Sequence, residues 1–209
     1  MTVLRSIAYA LLFYVGTTVF CILGLGAALL GNGPTRRMVL IWSRCVHWAT
    51  RRVLGIRVSV EGKIPPEPVL IAVKHQSMFE TIEMVHLADT PVIVLKREVA
   101  NLPLFGWLTR CYGIIAVDRE AGAKALREML TLGKKAKESG RQIVIYPEGT
   151  RVQPGETPEL RPGFAGMYRA LRLPVVPIAL NSGLLWGRGP IKHSGVVRFV
   201  IGEPIPAGL

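Results

Sequence analysis

Charge is scarce in this sequence: charged residues make up 19% of the chain, below the roughly 25% of an ordinary soluble domain. Acidic residues are scarcer still at the start. None precedes Glu61, so the first 60 residues hold seven arginines with nothing to balance them and carry +7 of the formal +12 net charge. Cys21, Cys45 and Cys111 are odd in number and fall at no metal or redox spacing, which says little beyond a reducing compartment. There is no G-x-S-x-G elbow, no Walker A loop, no H-E-x-x-H and no C-x-x-C. An elbow-type serine hydrolase, a P-loop enzyme and the common zinc sites all lose ground. Internal repeats and low-complexity linkers are also missing.

What is abundant is apolar side chain. Half of the 209 residues are hydrophobic, which excludes a disordered chain, because that much apolar surface offsets the entropy of ordering. The length fits one domain with a small appendage. A strongly basic chain first suggests a nucleic-acid partner. The arrangement argues against it, because the basic excess flanks a long uncharged stretch. Basic and apolar together point to a membrane surface.

Between Arg5 and Arg36 there is no charged side chain. As a helix, Ile7–Leu30 rises about 36 Å, enough to cross a hydrocarbon core of roughly 30 Å. It is too long for the apolar core of a secretory signal and has no matching cleavage site. Asn32-Gly33-Pro34 is expected to break the helix. From Arg36 to Gly55 a second helix is expected, with Arg37, Arg44 and Arg51 along one side and Trp48 nearby. That is the pattern of a helix lying among lipid headgroups. A spanning helix and a hairpin dipping into one leaflet bury the same run, so both stand at this level. The expected division is residues 1–55 as membrane helix plus interfacial helix, and 56–209 as a catalytic α/β domain.

After Gly55 short β-branched runs begin: Ile56–Val60, Val69–Val73, Val92–Leu95, Ile114–Val117, Ile143–Tyr146, Val175–Leu180 and Val196–Ile201. Near-continuous apolar runs suit strands covered on both faces. Helices are expected between them at Glu80–Leu87, Gly122–Ser139 and Gly163–Leu171. In the second of these, Leu126, Met129 and Leu130 form the buried stripe opposite Lys124, Arg127, Lys134 and Lys135. The fold class predicted is α/β, with a mixed, largely parallel sheet flanked by helices and an N-terminal membrane-anchoring segment.

Two clusters carry candidate chemistry. The run Val69–Val73 leads into Lys74-His75-Gln76-Ser77-Met78-Phe79-Glu80. His75 in the loop and Glu80 in the first turn of a helix can meet as a His–carboxylate pair, which fixes the imidazole tautomer and raises its basicity. Ser77-x-x-Glu80 also reads as a capping box with Ser77 as N-cap. The two readings are compatible, because a capping glutamate reaches back toward the helix start. The second cluster is Ile143–Arg151, a buried strand ending in Tyr146-Pro147-Glu148-Gly149-Thr150-Arg151. An arginine at such a strand end suits a bidentate phosphate contact. Lys96 and Arg119 each follow an apolar run and are candidates for the same phosphate. The prolines of Leu173-Pro174-Val175-Val176-Pro177 are read as shaping backbone.

Taken together, these motifs resemble the glycerolipid acyltransferase superfamily, and within it the 1-acylglycerol-3-phosphate acyltransferase family, over roughly residues 56–205. Four blocks occur in the family's order: His75 to Glu80; Lys96, Leu102, Pro103 and Gly106, followed by Asp118-Arg119; Tyr146 to Arg151; and Val176-Pro177. Glu80 stands where the family usually has Asp, and Tyr146 where it has Phe. The resemblance implies an O-acyltransferase of phospholipid biosynthesis. The acyl chain would pass from acyl-CoA or acyl carrier protein to the sn-2 hydroxyl of 1-acyl-glycerol-3-phosphate (lysophosphatidic acid), giving phosphatidic acid. A lyso-ornithine lipid or another lysolipid is the alternative acceptor. His75 would be the base and Glu80 its orienting carboxylate. Lys96, Arg119 and Arg151 would hold phosphate, and Glu148, with Gly149 and Thr150, would contact the rest of the acceptor. No metal and no cofactor is implied. The expected surroundings are membrane phospholipids, in a bacterial inner membrane with the catalytic part on the cytoplasmic side.

Overall fold

Leu70 and Ala72 face one side of the sheet and Ile71 and Val73 the other, and both sides are covered. A strand buried on both faces has no polar alternation to display, which is why the apolar runs are unbroken. The computed structural model describes residues 1–118 and 122–208. In chain order the elements are α1 (Thr2–Leu29), α2 (Asn32–Ala49) with a π-helical turn at Thr50–Leu54, β1 (Ile56–Glu61), β2 (Leu70–Val73), α3 (Phe79–Leu87), β3 (Val92–Lys96), α4 (Arg97–Ala100), α5 (Phe105–Tyr112), β4 (Ile115–Val117), α6 (Gly122–Glu138), β5 (Ile143–Ile145), α7 (Pro162–Leu171), β6 (Val175–Leu180), α8 (Ser182–Leu185) and β7 (Gly195–Ile201).

The strands form one sheet in the order β1-β7-β6-β2-β5-β3-β4. Every neighbouring pair is parallel except β6 with β7. This is the mixed, mostly parallel sheet that the pattern predicts. Register is set at the centre, where Leu70 lies opposite both Ile143 and Val175. One face is covered by α1, α2 and α3, which bury Tyr9, Met84 and Val85 against Val144, Val176 and Phe199. The other is covered by α6 and α7, which bury Met129, Met167 and Leu171 against Ile143 and Ile145. The α6 stripe differs from the expected one: Ala125, Met129, Gly133 and Ala136 are buried, while Leu126 and Leu130 are only partly so. The helices α6 and α7 approach too closely for larger residues. A Cβ on Gly133 would lie 3.0 Å from a Leu171 methyl.

The N-terminal helix break falls at Gly31, whose φ of +109° suits glycine, rather than at Asn32-Gly33-Pro34. Those three residues begin α2. Proline is tolerated in a first turn because its missing N–H has no partner there to lose. Arg37, Arg44 and Arg51 are all exposed, and so is Trp48. Helix α1 is long and apolar enough to cross a membrane, with only 6% of its most apolar stretch buried. One edge nonetheless docks on the body along much of its length. Lys192 N–H donates to Ser6 Oγ at 2.9 Å, and the Tyr9 ring meets Trp186 edge-on at 5.2 Å. Trp42 Nε1 donates to Thr17 Oγ1 at 3.1 Å, and Gly24 packs on the Leu108 methyls. The remaining surface of α1 presents Leu4, Ile7, Leu11, Val15 and Ile22. An unbroken apolar face of this size suits a lipid environment.

Candidate active site

The C-terminal ends of β6, β2, β5 and β3 lie side by side, because these four strands are adjacent and parallel. Loops at that edge bring distant residues together, as in other open α/β sheets. The loop after β2 supplies His75, the loop after β5 supplies Tyr146–Arg151, the end of β3 supplies Lys96, and α8 follows β6 at once.

His75 and Glu80 form the pair. His75 Nδ1 is 2.8 Å from Glu80 Oε1, and Glu80 is fully buried. The same oxygen accepts the backbone N–H groups of Gln76 at 2.8 Å and Ser77 at 2.7 Å. The other oxygen, Oε2, accepts from Ser77 Oγ at 2.8 Å and Ser182 Oγ at 2.7 Å. A carboxylate held by so many donors stays ionised inside the protein. Burial pushes its pKa up, but the His75 bond and charge, with Ser182 and the Ser77 N–H, outweigh burial and hold it below the usual value. With Nδ1 bonded to a carboxylate, the proton on the neutral ring sits there, and Nε2 is the nitrogen left to accept one.

The capping-box expectation is met in part. Glu80 reaches back to the Ser77 N–H, but Ser77 Oγ accepts from Phe79 N–H at 3.0 Å rather than from Glu80, and α3 starts one residue later, after Met78.

The second loop is tied to the first. Val152 N–H donates to His75 O at 2.8 Å. Tyr146 lies against the imidazole, with ring centroids 4.3 Å apart. Gly149 closes a turn at φ +69°, and a Cβ there would come within 2.9 Å of Arg161 Cγ. Glu148 is buried; Lys74 Nζ lies 3.4 Å from its Oε1, while Oε2 is buried with no partner among the described residues. Thr150 and Arg151 are exposed. Lys96 pairs with Glu98 at 2.7 Å. Arg119 lies outside the described residues. The Leu102-Pro103-x-x-Gly106 block forms the tight turn into α5. Gly106 N–H donates to Leu102 O at 2.7 Å, and a Cβ on Gly106 would sit 2.2 Å from Ala100 O.

His75, Lys96, Gly149, Thr150 and Arg151 all line one cavity of about 1810 Å³. Its far wall is apolar and includes Phe13, Tyr14, Cys21 and Gly24 of α1. Several members of this site are not evident from the sequence. Ser182 is bonded to Glu80, and Gly183 N–H donates to Gln76 Oε1 at 3.0 Å. Lys74 and Arg161 flank the second loop. Ser182 comes directly after the Pro-flanked strand, but only the strand order puts β6 beside β2.

A partly exposed histidine on a buried carboxylate, opening on a large, mostly apolar cavity, equips the site for base-assisted attack by a hydroxyl. The Acyltransferase family model matches residues 55–181. A 1-acyl-sn-glycerol-3-phosphate acyltransferase from Pseudomonas aeruginosa is 37% identical over 82% of this chain and 68% of its own length. The enzyme of that name from Limnanthes douglasii is 27% identical over 67% of this chain and 51% of its own, so the chain spans about half of that relative. A lyso-ornithine lipid O-acyltransferase from Rhizobium meliloti is 31% identical over 50% of the chain and 36% of its own length. The crystal structure of the 1-acyl-sn-glycerophosphate (LPA) acyltransferase from Thermotoga maritima shares the fold, with a TM-score of 0.76 at 21% identity over 99% of this chain and 87% of that one. The chain belongs to the acyltransferase family, and it is an O-acyltransferase.

Proposed function

We propose that the protein transfers an acyl chain from a thioester to the sn-2 hydroxyl of 1-acyl-glycerol-3-phosphate, giving phosphatidic acid. The observation that carries this is the His75–Glu80 pair at the wall of a cavity lined by cationic loops on one side and apolar residues on the other. A hydroxyl is a poor nucleophile until a base takes its proton during attack, a contribution of roughly 10²–10⁴-fold. His75 Nε2 takes that proton as the oxygen attacks the thioester carbonyl. The C–S bond then breaks, and the imidazolium returns the proton to the departing thiolate. Glu80 steadies the imidazolium and remains ionised throughout. The step needs no covalent acyl-enzyme.

Arg151, with Lys96 and Arg119, holds the acceptor phosphate. An arginine fork suits that group better than a lysine does. Glu148 Oε2, buried and without a partner among the described residues, is an acceptor for a hydroxyl of the glycerol. The donor is acyl-CoA or acyl carrier protein. The chain acts at a membrane, with α1 and the arginines of α2 as its anchor. Each such arginine near anionic headgroups is worth about 1 kcal/mol. Docking of α1 along the body favours the hairpin arrangement in one leaflet over a free spanning helix. The body is placed on the cytoplasmic side of a bacterial inner membrane, whose anionic leaflet attracts the arginines of α2.

The test is an assay of the purified protein with labelled acyl-CoA and acyl carrier protein against a panel of lysolipids. Formation of phosphatidic acid from lysophosphatidic acid, with a higher acceptor KM in Arg151→Ala, is the expected result. Transfer only to a lysolipid without phosphate would overturn both the acceptor and the role of Arg151. A lyso-ornithine lipid is the particular alternative, since a relative of that name matches half of the chain.

A further inference from the structure

A second group of ionisable side chains lies away from the cavity, where α2 packs on α3. Glu83 and His86 sit one turn apart on α3, so they share a face. His47 on α2 points at the same spot. Its Nδ1 lies 2.9 Å from Glu83 Oε2 and 3.1 Å from Oε1. His86 Nε2 is 3.4 Å from Oε2. One ligand atom from each of the three residues lies within 4.8 Å of the others.

Three features set this group apart from an ordinary ion pair. First, the Glu83 side chain is only 1% exposed, and the two histidines stand against its carboxylate. An ionised carboxylate so deeply buried needs a compensating charge. Second, the protein leaves His86 poorly satisfied. Its Nδ1 is buried with no partner among the described residues, and its Nε2 stands too far from the carboxylate for a good hydrogen bond. Third, the spacing fits an ion. Zinc bonds of about 2.0–2.1 Å in a tetrahedron put neighbouring ligand atoms about 3.3 Å apart. The separations of Glu83 Oε2 from His47 Nδ1 and His86 Nε2, 2.9 and 3.4 Å, lie within a few tenths of an ångström of that edge.

We propose that His47, Glu83 and His86 form a zinc-binding site that pins α2 to α3. Two imidazoles and a carboxylate are a zinc donor set, and the fourth position falls to water on the partly exposed His47 side. The ion occupies His86 Nε2 and takes the place of the proton that His47 Nδ1 shares with Glu83. It also braces the interfacial helix against the helix whose first turn carries Glu80. Arg44 and Arg51 lie close enough to act on the histidines, so binding is weaker than at a closed structural site.

The test uses the full-length protein in detergent, stripped of any affinity tag and chelated. Equilibrium dialysis against ZnCl₂ is expected to give about one bound ion per chain. Co²⁺ is expected to give the visible absorption of a tetrahedral site, and zinc at a hundredfold excess over Kd to raise Tm by about 5–10 °C. His86→Ala and His47→Ala should each weaken binding at least about tenfold. Glu83→Gln removes a buried charge and so disturbs the helix contact itself. The histidine variants, checked by circular dichroism, therefore decide the question. No uptake by the wild type overturns the proposal, as does uptake unchanged in both histidine variants. Uptake lost in Cys45→Ser but retained in His86→Ala places the ion on the exposed cysteine and overturns it too.

Discussion

Ser182 Oγ donates to Glu80 Oε2 across 2.7 Å, although 102 residues separate the two in the chain. A hydrogen bond to a charged group is worth about 1.5–3 kcal/mol. Ser182→Ala should therefore lower kcat by about tenfold while leaving the acceptor KM unchanged. Ser182→Thr should recover most of the loss. A kcat within about twofold of wild type would remove Ser182 from the machinery that positions His75.

His75→Ala is expected to lower acyl transfer by about 10²–10⁴-fold. Its link to the second loop should persist, because Val152 bonds to the backbone carbonyl of His75. Vesicle binding and circular dichroism should thus match wild type. Transfer at the wild-type rate would exclude His75 as the base.

Glu80 makes stability depend on acid. Its folded pKa lies below the ordinary glutamate value, so its contribution is fully present above that value and lost as pH falls through the folded pKa. Thermal denaturation between roughly pH 6 and pH 3 should show a steep acid limb in wild type and a shallower one in Glu80→Gln. Parallel curves would contradict this linkage.

Gly106→Ala places a Cβ 2.2 Å from the carbonyl oxygen of Ala100. Neither backbone segment can yield without opening the α4–α5 turn. The expected loss is about 1–3 kcal/mol, read as a lower Tm. The same displacement moves Leu104 and Phe105 at the cavity wall, so activity should fall as well. An unchanged Tm would show that the turn accommodates a methyl group.

Residues differ in how far the sequence alone reveals their place. The strands are legible because burial on both faces leaves continuous apolar runs. His75 and Glu80 are legible because their pairing is local. Helix α5 is not, since proline and glycine at 103 and 106 give no helical pattern to read, although Gly106 lies in the helix's first turn. The helix break is expected too late because Pro34 can begin a helix as readily as end one. Ser182 leaves no local signal at all. Its place beside Glu80 depends on β6 pairing with β2, a relationship between distant strands. The meeting of His47 with Glu83 and His86 is hidden for the same reason.

The apolar edge of α1 is also a wall of the catalytic cavity. On the proposed placement of α1 in the bilayer, a lipid tail drawn past that wall would not have to enter water. At about 0.8 kcal/mol per methylene, exposing a sixteen-carbon chain would cost on the order of 12 kcal/mol. Such a cost would dominate any catalytic cycle that loaded its acceptor from solution. With α1 in the bilayer as proposed, tails would exchange sideways, oil to oil, and turnover should follow the concentration of lysolipid within the leaflet rather than in the surrounding water.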